Sequence, residues 1–428
     1  MVKSKLSQVK RVSFWQPLTI RNFLLLFIGE NISLLGDQFY LVALPWLTIQ
    51  LTNSGVSLGA VLMAAAIPRA AILLLGGIAS DRISPRLVML VSNALRGVVV
   101  ILLTILVVLK LVEVWHLYIL SIAFGILDGF FIPASKAIVP SLVEEKMLIP
   151  ANTLNQGTNQ LILTLGPALG GILIATFGLE SVFAIDAATF VFTTIVLLFI
   201  KSSRETDKAH APSLQNTQFK HVKVQAKISS LMAGIREGIN YAWHNTALRT
   251  MLLIVMFYNL IFIGPLQIGM TSLAHNRFPG GAIALGIMNS AWGGGGLLGA
   301  LMPSLLPRIP GVGKLLLYVG IGQGTGLVLL GFAPNVTLAS LAIAILGFCS
   351  CFFIVTETAW IQKQTPPEIL GRVMSLRMLA SFGISPFSFA LAGILVDFNM
   401  TLMFILAGLI ILITIAYLAA NPFLRKIK

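Results

Sequence analysis

Charge is what this chain has least of. Only 10% of its 428 residues are Asp, Glu, Lys or Arg, whereas a soluble globular chain carries about 25%. That scarcity, with 57% hydrophobic residues and a mean hydropathy of +0.93, excludes an ordinary water-soluble fold. Acids are scarcer than bases, 15 against 29, and the net charge of +14 would suit nucleic acid were the basic residues not confined to short polar segments. Cysteine is nearly absent. Cys349 and Cys351 stand at i and i+2 of one apolar run and point to different sides of a helix, which argues against a disulfide or a shared metal site. No nucleophile–base set or metal-binding cluster is visible, so neither an enzyme nor a cofactor is expected.

What is present is a series of twelve apolar runs, near 22–49, 56–80, 87–109, 115–137, 157–178, 181–200, 248–272, 281–305, 314–333, 336–361, 375–396 and 400–420. Each is about 18–25 residues, enough for a helix to cross a hydrocarbon core of roughly 30 Å. Backbone in lipid must satisfy its own hydrogen bonds, so each run is expected to be helical. The fold class predicted is an all-α membrane protein of twelve transmembrane helices in two six-helix bundles. Basic residues fall on alternate connections: Arg82 and Arg86, Lys136 and Lys146, the segment after 200, and both tails. The opposite loops offer only Lys110 and Arg277. This asymmetry puts both termini in the cytoplasm of a multi-pass protein of the cell membrane. The first run is too long for a cleavable signal and should stay as a span.

The polar stretch 201–247 divides the chain. It separates a cytoplasmic tail (1–21) and a first bundle (22–200) from a second bundle (248–420) and a short cytoplasmic tail (421–428). Within the stretch, Leu231, Ile235, Ile239 and Trp243 fall at helical spacing and predict an amphipathic helix near 229–244, lying on the inner membrane surface. The halves echo each other. Gly125 followed by Phe130-Phe131-Ile132 recurs as Gly347 followed by Phe352-Phe353-Ile354, and the same offset maps Gly171-Ile172-Leu173 onto Gly393-Ile394-Leu395. Leu58-Gly59 resembles Leu285-Gly286. Six-span repeats are a transporter architecture, with a site near the midplane between them.

Several motifs resemble the major facilitator superfamily. Gly77-x-x-x-Asp81-Arg82-x-x-x-Arg86 is similar to its loop signature, although Ser84 and Pro85 replace the usual glycine and following residue. Gly166-Pro167-Ala168-Leu169-Gly170-Gly171 resembles the core of the signature of proton-linked exporters, without its upstream glycine spacing. Leu35-Gly36-Asp37, Pro133-Ala134, Ala151-Asn152 and Gly371-Arg372-Val373 resemble the branch containing macrolide-efflux proteins and the enterobactin exporter. The resemblance implies that Gly77, Asp81, Arg82 and Arg86 latch the cytoplasmic side shut. It also implies that Gly166, Pro167, Gly170 and Gly171 form a bend that favours exchange over leak. Topology-setting charge and plain close packing of helices are the alternative readings of the two motifs.

Charges inside the runs are the sharpest local clue. One at the bilayer centre costs about 2.5–3.5 kcal/mol on insertion scales, so it needs a partner or a task. Glu30 and Asp37 share one face of the first run, about 10 Å apart in height. Asp37, Arg69 and Asp128 fall near mid-depth, Arg96 closer to the inner face, Asp186 nearer the outside and Glu357 toward the inside. In one reading Glu30, Asp37 or Asp128 exchanges a proton, since no histidine lies at mid-depth. In the other, Asp37–Arg69 and Glu30–Arg96 are buried ion pairs that fix the first bundle; for Arg96 and Asp186 a structural role is expected. The superfamily lines its cavity with spans one, four, seven and ten. The resemblance therefore implies a cavity drawn from Asn31, Gln38, Phe131, Tyr258, Asn259, Phe353, Thr356, Glu357 and Trp360, with Arg69 from span two. Such an aromatic and acidic lining suits a bulky, amphiphilic, cationic ligand.

No Gly-x-x-x-x-Gly-Lys-Ser/Thr loop occurs, and Gly293–Gly296 lacks an adjacent lysine, so ATP is not expected to be the direct energy source. The expected function is proton-coupled export of a small amphiphilic compound, drug or siderophore-like, by a monomer in the lipid bilayer, with no nucleic acid partner. A lysophospholipid transporter and a non-transporting receptor or scaffold are the alternatives.

Overall fold

The computed structural model describes residues 14–82, 84–200, 239–306 and 312–420, and among these every long element is a helix. In chain order they are α1 (Arg21–Thr52), α2 (Gly55–Arg82), α3 (Pro85–Val108), α4 (Val114–Leu142) and α5 (Leu148–Phe199). Then come α6 (Thr246–Asn276), α7 (Gly281–Leu305), α8 (Val312–Gly331), α9 (Val336–Gln364), α10 (Pro367–Phe382) and α11 (Ser385–Ala420). Nine helices or fused runs among the described residues are long and apolar enough to cross a membrane. Helix α7 falls outside that set because glycine, Asn289 and Ser290 dilute its apolarity.

The helix ends are written in polar residues. Ser84, Asn245 and Asn335 each accept a hydrogen bond from the backbone N–H three residues on, satisfying one orphan donor of α3, α6 and α9. Helix α1 closes on Asn53 in the left-handed conformation (φ 48°), which asparagine tolerates. Lys110 (φ 56°), Gly178 (φ 81°) and Gly281 (φ 50°) make the other tight turns, and all four lie on the face that is poor in basic residues.

Three expected boundaries move. Helix α5 begins at Leu148, nine residues before the predicted 157. Pro150 sits in its first turn, where no intrahelical N–H is needed, and the polar run Asn152 to Gln156 hid the helix from a reading based on apolarity. The predicted loop between 178 and 181 shortens to Gly178 (φ 81°, ψ 169°), where two helices meet, and two helices likewise meet within α11 at Asn399 (φ −165°, ψ 109°). The expected span 375–396 is split at Gly383 and Ile384, between α10 and α11, ahead of Pro386. Of the predicted amphipathic helix, residues 239–244 are helical, with Trp243 exposed, and 229–238 lie outside the described residues.

Contacts gather into two groups. Helix α5 packs along α1 and α3, while α2 packs on α4; α7 packs on α9, and α11 lies against α6 and α8. Two seams join the groups, α5 with α7 and α2 with α11. Glycines make both. A Cβ on Gly171 would stand 2.5 Å from Ala282 O, and one on Gly286 2.5 Å from Pro167 O. At the other seam a Cβ on Gly393 would stand 2.5 Å from Gly55 O, and one on Gly59 2.7 Å from Phe389 O. The offset that relates Gly171 to Gly393 also relates Pro167 to Phe389, so the repeats noted in the sequence meet in equivalent contacts. The echo from Gly125 to Gly347 behaves likewise: the first seats α4 against the backbone of Ala65, the second seats α9 against that of Trp292.

Candidate functional site

Four charged side chains meet where α1 to α4 converge. Arg96, on α3, donates from Nη2 to Asp37 Oδ1 of α1 at 2.6 Å, and its Nε lies 3.1 Å from Asp128 Oδ1 of α4. Arg69, on α2, places Nη2 3.0 Å from the other Asp128 oxygen. Helical geometry delivers these groups. Pro68 and Pro133 lie inside α2 and α4, and Gly129, beside Asp128, lets α4 pass close over Ile72. The Arg96 guanidinium is enclosed by three rings, with Cζ 4.6 Å from the Phe190 centroid, 4.8 Å from Phe124 and 5.0 Å from Phe131. Its side chain is 3% exposed, whereas Arg69 is 40% exposed and Asp37 25%. Charges at membrane depth that remain accessible face a watery hollow rather than lipid. The cluster therefore has an enclosed side at Arg96 and an accessible side at Arg69.

The pairing differs from the two pairs expected. Arg69 goes to Asp128 and not to Asp37, Arg96 goes to Asp37 and Asp128, and buried Glu30 Oε1 has no hydrogen-bond partner among the described residues. Depth can be counted along a sequence, but the azimuth that decides which acid faces which base cannot. One further acid belongs here. Asp186, on the second part of α5, is 0% exposed, and neither carboxylate oxygen has a hydrogen-bond partner among the described residues.

The other expected residues distribute as follows. Asn31 donates to the Phe27 carbonyl at 2.6 Å, and buried Gln38 lies against Gly166. Gly166 and Gly170 seat α1 while Gly171 seats α7, and Pro167 lies inside the helix with helical φ/ψ. Arg86 donates to the Leu197 and Leu198 carbonyls at 3.0 and 2.8 Å, so it caps the end of α5. Gly77, Asp81 and Arg82 lie in the last turns of α2, and their side chains fall outside the described residues.

In the second group, Tyr258 stacks on Phe262 (4.9 Å) beside the Gln323–Ser350 hydrogen bond (2.7 Å), and Asn259 donates to the Val255 carbonyl. Phe353, Thr356 and Trp360 are buried along α9. Glu357 is fully buried and bonded to Arg377 of α10 at 2.8 Å, which makes it half of an ion pair. Arg377 went unnoticed in the sequence; its place two residues inside an expected span was the available signal. No group of three or more His, Cys, Asp or Glu among the described residues converges as a metal would require.

Similarity to known proteins fits this geometry. The family model described as transmembrane secretion effector matches residues 12–427. This chain belongs to the major facilitator superfamily. The multidrug efflux pump Tap of Mycolicibacterium fortuitum is 26% identical over 85% of this chain and 86% of its own length. Macrolide efflux protein A of Streptococcus pyogenes is 22% identical over 91% of this chain and 93% of its own. Among solved structures, the peptide transporter POT superposes with a TM-score of 0.75 at 14% identity, covering 95% of each chain. The nucleoside transporter NupG gives 0.68 at 13%, covering 94% of this chain and 99% of its own. At such identities these two speak for the fold alone.

Proposed function

We propose that this superfamily member exports small amphiphilic compounds, macrolide-like molecules included, by alternating access driven by inward proton flow. The two fused runs are read as two crossings each, which with α7 makes twelve, and the termini are read as cytoplasmic. The observation that carries the reading is the pair of glycine seams related by the internal repeat. Two bundles joined through bare backbone at two equivalent lines can rock about them without repacking large side chains.

The seams come with fastenings. Asp397, at the end of the first part of α11, accepts from Ser54 Oγ (2.8 Å), Gly55 N (2.5 Å) and Val56 N (3.1 Å), so it caps the N-terminus of α2 across the seam. Nearby, His275 Nε2 meets Asn53 Oδ1 at 2.9 Å and its ring packs on Trp46. By the charge asymmetry these contacts lie on the outer face, and we read the conformation as closed to the outside. Asp81, at the opposite end of α2, would hold the inner side in the other state. Efflux among the named relatives supports the direction, and the aromatic-rimmed charge cluster supports a cationic amphiphile.

The test is expression in an efflux-deficient bacterium, scoring accumulation of erythromycin and ethidium with and without an uncoupler. Lower accumulation that the uncoupler reverses supports gradient-driven export. Unchanged accumulation of both would reject these two as substrates, and unchanged accumulation across a broad panel would turn the reading toward a receptor or scaffold.

A further inference from the structure

Three carboxylates and two guanidinium groups gather in the first bundle, enclosed at Arg96 and Asp186 and accessible at Arg69 and Asp37. Asp37 and Asp128 are bonded to Arg96 and Arg69, and Asp186 is not bonded to any cation. The charged groups that face Asp186 are Asp37 from α1, Arg96 from α3 and Asp128 from α4, with the Tyr40 hydroxyl also nearby. Its own carboxylate lies against Gly36, where a Cβ would overlap both Asp186 Oδ1 and Thr189 Oγ1. Two cations and two paired anions already sum to zero. A third bare anion at 0% exposure, with the Thr189 hydroxyl beside it and that hydroxyl donating to the Asp186 carbonyl at 2.7 Å, would carry the penalty of a buried charge without a cation.

A donor is also left over. Arg96 Nη1 is buried and has no hydrogen-bond partner among the described residues, although Nη2 is spent on Asp37. Phe190, one turn beyond Asp186 on α5, stands 4.6 Å from Arg96 Cζ, so the spare donor and the spare acceptors belong to the same packed cluster. An unsatisfied donor beside unsatisfied acceptors is what one microstate of a two-state element leaves behind.

We propose that Asp186 holds the proton that the transporter exchanges, with Asp37 as its port to the cavity and Arg96 as the partner that replaces the proton. This deepens the proton-antiport reading above and rests on it. The step balances. The Asp186 O–H bond breaks and its proton passes to the Asp37 carboxylate, whose side chain is 25% exposed and so meets cavity water, which carries the proton away. Protonated Asp37 loosens its hold on Arg96 Nη2, and the new Asp186 carboxylate takes Arg96 Nη1–H. The cluster then carries one net negative charge, which favours entry of a cationic ligand on the Arg69 side. Reprotonation reverses each move and expels the cation. Asp186, which shares the cluster with Arg96 and has neither oxygen bonded to a cation among the described residues, is thus the carrier, and Gly36 is the positioning residue that admits it.

Two arms test the proposal. In the first, the purified full chain carrying ¹³C-labelled aspartate is examined by infrared spectroscopy in lipid, without substrate. A protonated-carboxyl stretching band assigned to aspartate is expected near neutral pH, absent in Asp186→Asn and retained in Asp37→Asn. Asp186→Glu, which keeps the acid should the amide variant fold poorly, should move that band out of the labelled set. A band that survives Asp186→Asn, or that vanishes only in Asp37→Asn, overturns the assignment.

In the second arm, proteoliposomes carry erythromycin and ethidium as probes. Asp186→Asn should lose pH-gradient-driven accumulation while retaining downhill exchange, a split that a merely structural role would not produce. If wild type responds to the gradient and Asp186→Asn responds equally, Asp186 is excluded as carrier. If wild type itself ignores the gradient, the antiport reading falls, while the infrared arm still decides where the proton sits.

Discussion

A methyl group placed in either seam should push the transporter toward its other state. In Gly171→Ala the new Cβ would stand 2.5 Å from Ala282 O, about 1 Å inside ordinary contact, and the obstacle is backbone that cannot rotate away. In Gly393→Ala it would stand 2.5 Å from Gly55 O. Overpacking of this kind costs about 1–3 kcal/mol, charged to the closed seam alone if the bundles can part. At tenfold per 1.4 kcal/mol the ratio of open to closed rises about 5- to 150-fold. The seams share no contacts, so the double variant should sum the two effects.

The readout is a cysteine on the opposite seam. Val396, 9% exposed beside Gly55, is replaced by cysteine in a Cys349→Ser/Cys351→Ser background and labelled from outside with an impermeant maleimide. Gly171→Ala should accelerate labelling of Val396→Cys although it lies on the other line of contact. Gly157→Ala, whose Cβ meets nothing within 4 Å, is the control. Labelling no faster in Gly171→Ala than in Gly157→Ala would refute coupled opening of the two seams.

Other outcomes follow from the same geometry. Arg377→Ala strands the fully buried Glu357 and should cost about 3–5 kcal/mol in detergent unfolding, much of it recovered by pairing Arg377→Met with Glu357→Leu. Asp397→Ala removes an exposed helix-capping carboxylate and should shift the open-to-closed ratio by about 1 kcal/mol, read by the same maleimide labelling. Asp81→Asn should abolish probe efflux at unchanged protein level; normal efflux would remove the inner latch from the account.

The all-helical membrane fold was legible because apolar length acts over many residues and tolerates local error. The repeat was legible for a related reason: Gly125, Gly171 and their echoes must be small wherever backbones touch, and that need leaves a mark in the sequence. Pairing was not legible. Asp37, Arg69, Arg96 and Asp128 were visible as charges at membrane depth, but helix rotation and tilt select partners, and neither is written in a spacing. Asp186 was expected to be structural, and that its two oxygens lack a hydrogen-bond partner among the described residues could not be read from its spacing. Helix α5 shows the converse failure, because its first turns are helical but polar, and there apolarity gives no signal.

Rocking of two bundles is the claim on which the rest depends, and pulsed electron spin resonance in lipid addresses it most directly. Spin labels at Leu111 and Phe398, both exposed and one in each group, report the spacing across the proposed outer face. Two distances are expected, the longer one gaining population in Gly171→Ala. A single distance, unchanged in that variant and on protonation, would contradict alternating access.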